Sequence, residues 1–517
     1  MSQGQLRLTT SFWISGVTLA GVCLEVVKNS AIAFRYGAGA ETDVFFTAFL
    51  IPNAYTSFWV SACSVGLVPL LSAWLGGKHD GASTVISQAW LFSGLLALLM
   101  AGLNYIFASY LPALIAPGFT EVQRQQATDL LREFSLLYVV MGVTGVATAL
   151  LSTRYDYVMS AANKLVMNAV IVVGLLFVFL PVGIRWLAHL VIVGAALHAI
   201  ILLWRTWQVG LRPRFPFAVE VPRVRTMMVA VLFPFVALLI RQASFVVERF
   251  LGSLLPAGSI SVQAYSFGVV IGLGGVPALG ITTQLLPALS QKQTSAKKVD
   301  LIWRAVYLVC VFLLPVASGF WFLSEPLVGA LFHYGAFSEA VALEMTGAFR
   351  AYAPGLVFSS LVQCFQSIYW AERRYALIVV QHFLMVAANI VLDIALVRLM
   401  GVAGLAVGYT VTAFVSAGVI FWCVCKDYGS LFGKLPELIG PCAATLVVIV
   451  VISTVRFVLS GWGLFADCAL CEDVFQTLLL SGSGAVTYWL GAALLRVEPF
   501  HGALWAAVRA FRLAGRF

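Results

Sequence analysis

The chain has 517 residues, of which 61% are hydrophobic and only 10% are charged, and its formal net charge is +9. Soluble domains carry about 25% charged residues, so this composition excludes a soluble protein and gives no reason to expect a nucleic-acid partner. Apolar runs of about 20 residues, the length of a membrane-spanning helix, recur from end to end. A transmembrane β-barrel would instead show short alternating segments. We therefore expect an all-α polytopic membrane protein.

In chain order, the apolar runs predict fourteen transmembrane helices, called spans 1 to 14. Their predicted bounds are 11–34, 43–74, 84–113, 131–152, 160–182, 186–204, 227–250, 260–288, 302–323, 341–369, 376–397, 402–424, 437–460 and 474–495. Most of the 31 lysines and arginines fall in loops that are cytoplasmic if both chain ends are cytoplasmic, as the positive-inside rule requires. This predicts a multi-pass membrane protein with both termini in the cytoplasm.

The chain contains an internal repeat at an offset of about 218 residues. Residues 68–72 (VPLLS) recur as residues 286–290 (LPALS), and residues 154–155 (RY) recur as residues 374–375 (RY). Because the offset covers six spans, the two halves have the same orientation, which is a known transporter architecture. The predicted parts are an N-lobe at 1–205 (spans 1–6), a basic cytoplasmic linker at 206–226, a C-lobe at 227–425 (spans 7–12), and spans 13–14 with a basic cytoplasmic tail at 426–517.

Ionisable residues at membrane depth usually face a cavity or a partner. Glu25 and Lys28 lie three residues apart in span 1 and share a helical face, and Arg35 and Asp43 follow at its outer end and at the start of span 2. With Arg241 of span 7, they make up a candidate substrate cavity. Lys28 would offer a positive charge to an anionic headgroup there. A Glu25–Lys28 pair that only neutralises itself is the alternative.

Spans 11 and 12 carry oxygen-donor residues. Asn389 and Asp393 are four residues apart, so their side chains lie on one face of span 11, and Thr410 lies in span 12. Such donors suit a small hard cation. Hydrogen bonding between helices is the alternative reading of these residues.

Prolines and glycines predict interruptions of spans 2 and 8. Span 2 contains Pro52 and Pro69, and span 8 contains Gly274, Pro277 and Pro287. Broken helices at matching places in two halves of a transporter indicate the transport pathway. Kinks that serve packing alone are the alternative.

The sequence contains no catalytic constellation. The six histidines are scattered, and the phosphate-binding GxxxxGK[ST] pattern is missing. We therefore expect no enzymatic activity and no organic cofactor. Of the nine cysteines, Cys468 and Cys471 form a CxxC pair in a predicted outer loop, where an oxidising compartment allows a disulfide.

Residues 35–53 (RYGAGAETDVFFTAFLIPN) resemble the G-A-G-x-x-T-D-A-F-x-x-A-F-x-x-P-N signature of the MviN/MurJ family, part of the multidrug/oligosaccharidyl-lipid/polysaccharide (MOP) exporter superfamily. The resemblance extends over essentially the whole chain, for example at residues 247–253 (VERFLGS) and 332–337 (FHYGAF). It implies two six-helix lobes around a central cavity, two additional C-terminal helices, and flipping of lipid II, the undecaprenyl-linked peptidoglycan precursor.

The same resemblance implies a sodium site. Its positions in this sequence are Glu248, Asn389, Asp393 and Thr410. Glu248 replaces the Asp or Asn of the family, which keeps a ligand but changes its reach. The energy for transport must come from an ion gradient, the membrane potential or the substrate gradient, and the resemblance makes sodium the candidate coupling ion.

The sequence departs from the family at the cavity arginines. The matching positions are Val22 and Lys28 in span 1, Thr56 and Ser57 in span 2, and Phe267 and Gly268 in span 8. Arginine holds a pyrophosphate with two parallel hydrogen bonds, which a lysine cannot reproduce. The departure therefore favours another polyprenyl-pyrophosphate-linked saccharide, such as an exopolysaccharide or O-antigen unit, with lipid II close behind.

Two other functions stay open at this point. A cation-coupled exporter of small amphipathic drugs would use carboxylates such as Glu25, Glu248 and Asp393. A scaffold of an envelope-synthesis complex would need no transport at all. For the flippase, the expected partners are a polyprenyl-linked glycan lipid, the bilayer and envelope-synthesis enzymes.

Overall fold

The computed structural model describes residues 3–75, 82–154, 156–177, 183–213, 220–240, 242–290, 294–372, 374–429, 431–460, 469–495 and 497. Every regular element in these ranges is helical, as expected for the all-α class. The chain divides into two compact units, Met1–Ser261 (unit 1) and Val262–Phe517 (unit 2). Ser261 lies inside a helix, whereas the sequence places the lobe boundary at 206–226, so the lobe assignment stays a prediction.

The helices of unit 1 follow one another with short connections. They are α1 (Gln3–Tyr36), α2 (Ala40–Leu75), α3 (Ala82–Phe107), α4 (Leu111–Ile115), α5 (Glu121–Thr153), α6 (Val158–Ala161), α7 (Asn163–Phe177), α8 (Arg185–Gln208), α9 (Val221–Ile240), α10 (Ala243–Gly252) and the start of α11 (Ser259–Phe267). Predicted span 7 is thus covered by two helices, α9 and α10.

Unit 2 continues from α11 through a π-helical segment. Its elements are the π-helical Gly268–Leu273, α12 (Val276–Ser290), α13 (Ser295–Phe322), α14 (Ser324–Leu331), α15 (Glu339–Ala371), α16 (Tyr375–Met400), α17 (Val402–Tyr428), the 3-10 helix Phe432–Leu438, α18 (Ile439–Ser460) and α19 (Ala469–Leu494).

Ten helices among the described residues are long and apolar enough to cross a membrane. An eleventh crossing is available if Ser259–Leu273 and Val276–Thr282, which are bent by 47°, form one span. The polytopic class is therefore confirmed, and the count of fourteen spans stays a prediction.

The proline and glycine pattern has different outcomes in spans 2 and 8. Span 8 is interrupted at Gly274, directly after the π-helical segment, and α12 begins just before Pro277. Span 2 is not interrupted, because α2 continues through both Pro52 and Pro69. Membrane helices tolerate proline where neighbouring groups satisfy the freed carbonyls. Pro287 lies inside α12, and a hinge role for any of these residues stays a prediction.

An aromatic cluster lies between α2 and α5 in the interior of unit 1. The ring centroids of Tyr55 and Tyr138 are 4.4 Å apart, and Trp59 is buried. Gly145 allows this approach, since a Cβ there would lie 2.5 Å from the indole nitrogen of Trp59. Small residues that let helix backbones approach closely are the usual means of packing in membranes.

In unit 2, ion pairs join the helix ends beside the α15–α16 connection. Lys298 lies 2.7 Å from Glu372, and Arg374 pairs with Asp427. Burial by itself would raise the pKa of Glu372, but hydrogen bonds from Lys298 and Tyr428 and the charges of both cations hold it below its ordinary value. These contacts fix the starts of α13 and α16 and the end of α17.

Candidate functional site

Two lysines flank one carboxylate between α1 and α7. Lys164 donates to one oxygen of Glu25 at 2.9 Å, and the Lys28 ammonium lies 4.0 Å from the other oxygen. The exposed fractions of the side chains are 27% for Glu25, 16% for Lys28 and 60% for Lys164. The cluster carries one net positive charge, and the exposed Lys164 ammonium has further donors for an anionic ligand.

The position of Lys164 follows from close packing of α7 on α1. A Cβ at Gly21 would lie 3.1 Å from the backbone nitrogen of Leu165, and the Asn168 amide donates to the Gly21 carbonyl at 3.1 Å. The sequence interpretation paired Glu25 with Lys28 and did not identify Lys164. A lysine inside predicted span 5 was the available sign, but its partner lies 139 residues away in the chain.

Arg35 and Asp43 have protein partners inside unit 1. Arg35 donates to the Leu175 carbonyl at 2.8 Å. Asp43 is 4% exposed and accepts from the backbone N–H of Gly258 at 2.7 Å, the backbone N–H of Ser261 at 2.8 Å and the Ser261 hydroxyl at 2.6 Å. A carboxylate at the first turn of α11 is favourable, because the amide groups there carry partial positive charge.

We call Thr42, Asp43, Gly258 and Ser261 the Asp43 clamp. The hydroxyls of Thr42 and Ser261 lie 2.8 Å apart. Gly258 has a φ of +100°, and a Cβ there would lie 2.7 Å from the Ala38 carbonyl oxygen, so only glycine fits. The clamp holds the α10–α11 connection against α2, and the substrate-binding role of Arg35 and Asp43 stays a prediction.

Two of the predicted cation ligands of unit 2, Asn389 and Asp393, lie in α16, where Asp393 meets α17 at Gly408. Asn389 is 5% exposed and donates to Oδ1 of Asp393 at 3.1 Å, while Asp393 is fully buried. A Cβ at Gly408 would overlap that same oxygen. Thr410 of α17 faces α15 instead, where its hydroxyl donates to the Ala351 carbonyl at 2.7 Å and lies beside Gly355. Carboxylate, amide and hydroxyl oxygens are donors that suit a small hard cation, and the use of these residues as cation ligands stays a prediction.

Two predicted site residues remain, Glu248 and Arg241. Glu248 is 4% exposed in α10 of unit 1, and Arg241 lies outside the described residues. In the part of the chain that the structure describes, no three His, Cys, Asp or Glu side chains group as metal ligands. Of the CxxC pair, Cys471 is disulfide-bonded and Cys468 lies outside the described residues.

Comparisons with known proteins agree on one family. The family model described as lipid II flippase MurJ matches residues 32–465. A probable lipid II flippase MurJ from Thermotoga maritima is 25% identical over 402 residues, covering 77% of this chain and 80% of that protein. The family model and the Thermotoga maritima protein each match most of the chain.

Two solved structures share the fold. One, titled lipid II flippase MurJ in an inward closed conformation, has a TM-score of 0.78 and 19% identity, covering 93% of this chain and 98% of that chain. The other, an outward-facing multidrug resistance MATE family transporter of the MOP superfamily, has a TM-score of 0.61 and 15% identity, covering 81% and 95%. The fold is therefore that of MOP-type transporters.

Proposed function

The chain belongs to the MurJ family of lipid II flippases, and from this membership we propose that it flips a polyprenyl-pyrophosphate-linked saccharide, with lipid II as the first candidate. It is a membrane transporter of cell-envelope biosynthesis and not an enzyme. We further propose that it lies in the bacterial inner membrane with both termini in the cytoplasm and works beside envelope-synthesis enzymes.

The observation that carries the choice of an anionic cargo is the cluster of Lys28, Glu25 and Lys164. Ammonium groups bind phosphate as point charges, and two of them beside one carboxylate suit a diphosphate. Without cargo, Glu25 offsets one of the two lysine charges and lowers the cost of keeping the lysines at membrane depth. A bound diphosphate replaces Glu25 as the partner of Lys164, which is the more exposed lysine.

Transport requires alternating access, and the Asp43 clamp is our candidate for the closure at one end of unit 1. Its hydrogen bonds from Gly258 and Ser261 to a carboxylate are charge-assisted and stronger than neutral ones. Because they are hydrogen bonds, they can nevertheless open and close reversibly during each transport cycle. Rocking of the two repeats then needs only that the α10–α11 connection leave α2.

Sodium is our proposed coupling ion. Asn389, Asp393 and Thr410 would hold it, and the resemblance adds Glu248 as a further candidate ligand. When bound, the ion would place a positive charge against the buried carboxylate of Asp393.

Another polyprenyl-linked glycan is the second candidate, favoured by the missing cavity arginines. Val22 stands at one of these positions and is buried. Thr56 stands at another, and its hydroxyl donates to the Asn53 carbonyl at 2.8 Å. Neither residue can hold a phosphate as arginine does. An exopolysaccharide or O-antigen unit with different spacing between its phosphates and sugars would tolerate this loss.

Complementation of cells depleted of their lipid II flippase tests the proposal. The native chain, Lys28→Ala, Lys164→Ala and the control Lys297→Ala, which changes an exposed lysine of α13, are compared for growth and for lipid II on the outer leaflet. We expect rescue by the native chain and the control and weaker rescue by the other two variants.

Each contrary result has a separate meaning. If the native chain is well expressed and inserted but gives no rescue, lipid II is not the cargo and another glycan is. If both Lys28→Ala and Lys164→Ala rescue fully, the lysine cluster does not bind the diphosphate.

A further inference from the structure

A separate cavity of about 560 Å³ lies near the N-terminal ends of α2, α5 and α8 in unit 1. Its polar lining residues are Glu41, Gln126, Asp129, Arg185, Trp186 and His189. Its volume is in the range of pockets that bind small molecules. Neither the lysine cluster nor the proposed sodium ligands contribute to it, so it needs an explanation of its own.

The cavity is acidic in character. Glu133, beside it, accepts from Arg185 at 2.8 Å and lies 3.4 Å from the His189 ring, so the charge of Arg185 is already balanced. Among the residues that the structure describes, Glu41 and Asp129 form no ion pair within 4.0 Å. Their carboxylates make the cavity unfavourable for phosphate. Asp129 accepts one hydrogen bond, from the Gln125 amide at 3.2 Å, and the carboxylate oxygens have lone pairs for further donors.

Trp186 adds a fixed aromatic surface. Its indole N–H donates to the Gly174 carbonyl at 3.3 Å, which sets the ring plane, and the side chain is only partly buried. The face of an aromatic ring carries negative charge density and packs against weakly positive C–H groups. Gln126 can both donate and accept hydrogen bonds.

We propose that this cavity binds a neutral saccharide. A sugar ring presents hydroxyl and amide donors at its edge and C–H groups on its face, which match the carboxylates and Trp186 respectively. This identification rests on the proposed function in one respect, since it takes the ligand to be the sugar part of the transported lipid. The diphosphate stays outside, because the carboxylates of Glu41 and Asp129 repel it.

The test uses the full-length protein in detergent and two probes. The first is N,N′-diacetylchitobiose, a neutral disaccharide, and the second is lysine amide, a cation without sugar. Binding is measured by saturation-transfer NMR for the native chain, Asp129→Ala, Trp186→Leu and the control Glu121→Ala. Glu121 lies on the same helix as Asp129, its side chain is 89% exposed, and it does not line the cavity.

We expect the disaccharide to bind the native chain and the control equally. Loss of a charged hydrogen-bond acceptor in Asp129→Ala should raise Kd about tenfold, and Trp186→Leu should raise it as well. The proposal is overturned if the native chain binds no disaccharide, if neither cavity variant weakens binding, or if only lysine amide binds.

Flipping of a lipid-linked glycan in reconstituted vesicles, measured in parallel, separates this inference from the proposed function. Disaccharide binding at the cavity without flipping supports the saccharide site and removes the flippase assignment. Flipping without disaccharide binding removes the saccharide site and leaves the flippase assignment in place.

Discussion

At the scale of single residues, Glu25 should restrain the binding of an anionic cargo. In Glu25→Gln both Lys28 and Lys164 keep their charge but lose their carboxylate partner. We expect the affinity for undecaprenyl pyrophosphate to rise, by roughly tenfold at most because Lys164 is exposed. The melting temperature should fall, because Lys28 is mostly buried and loses its counter-charge.

Microscale thermophoresis for binding and a thermal-shift assay for stability check this pair of opposite effects. Glu121→Gln, which removes an exposed carboxylate of α5, should change neither quantity. Weaker or unchanged binding by Glu25→Gln would mean that the lysines do not meet the cargo's phosphates.

The residues of this cluster also show what sequence reasoning can and cannot find. Spacing along one helix places Glu25 and Lys28 on one face, so their proximity was predictable. Lys164 belongs to another helix, and its distance from Glu25 depends on how closely α7 packs at Gly21. The Glu41–Asp129 cavity was missed for the same reason, because its side chains come from three helices that are far apart in sequence.

At the scale of helices, the close contact of α16 with α17 should control the proposed cation site. A Cβ at Gly408 would overlap Oδ1 of Asp393, so Gly408→Ala must shift the carboxylate or the helix. Such overpacking costs about 1–3 kcal/mol. We expect a lower melting temperature and a smaller stabilisation by sodium chloride relative to choline chloride.

Gly418→Ala is the matched control, because it changes the same helix where a Cβ would meet nothing within 4 Å. It should leave the sodium effect unchanged and stabilise slightly, since alanine has the higher helix propensity. Gly408→Ala could lower the melting temperature and still be stabilised by sodium chloride as much as the native chain is. That result would argue against Asp393 as the cation ligand.

The helices themselves were predictable to different degrees. Long apolar runs indicated their existence, because a span needs about 20 apolar residues in any membrane protein. Interruptions were harder, since Gly274 marks a real break whereas Pro52 and Pro69 do not. Whether a proline interrupts a membrane helix depends on the neighbours that satisfy its freed carbonyl, and these neighbours are a tertiary property.

At the scale of the whole molecule, the repeat indicated a two-part transporter, and the fold is that of the MOP transporters. The repeat could not show which contacts stabilise a single conformation of such a transporter. Asp43 lies inside the family signature, but its partners Gly258 and Ser261 are 215 and 218 residues further along the chain. The sequence therefore marked Asp43 as a polar membrane residue without indicating that it accepts backbone hydrogen bonds.

Hydrogen exchange can test whether the Asp43 clamp holds the closed state, because two of its donors are backbone amides. In Asp43→Ala the amides of Gly258 and Ser261 lose a charged acceptor, and each such bond is worth about 1.5–3 kcal/mol. We expect exchange in a peptide covering residues 256–262 to quicken by about tenfold or more, together with a loss of flipping. Glu41→Gln, two residues earlier on α2, leaves these bonds intact and should exchange as the native chain does. Unchanged protection in Asp43→Ala would mean that other contacts keep the α10–α11 connection in place and that the clamp is not the element that opens.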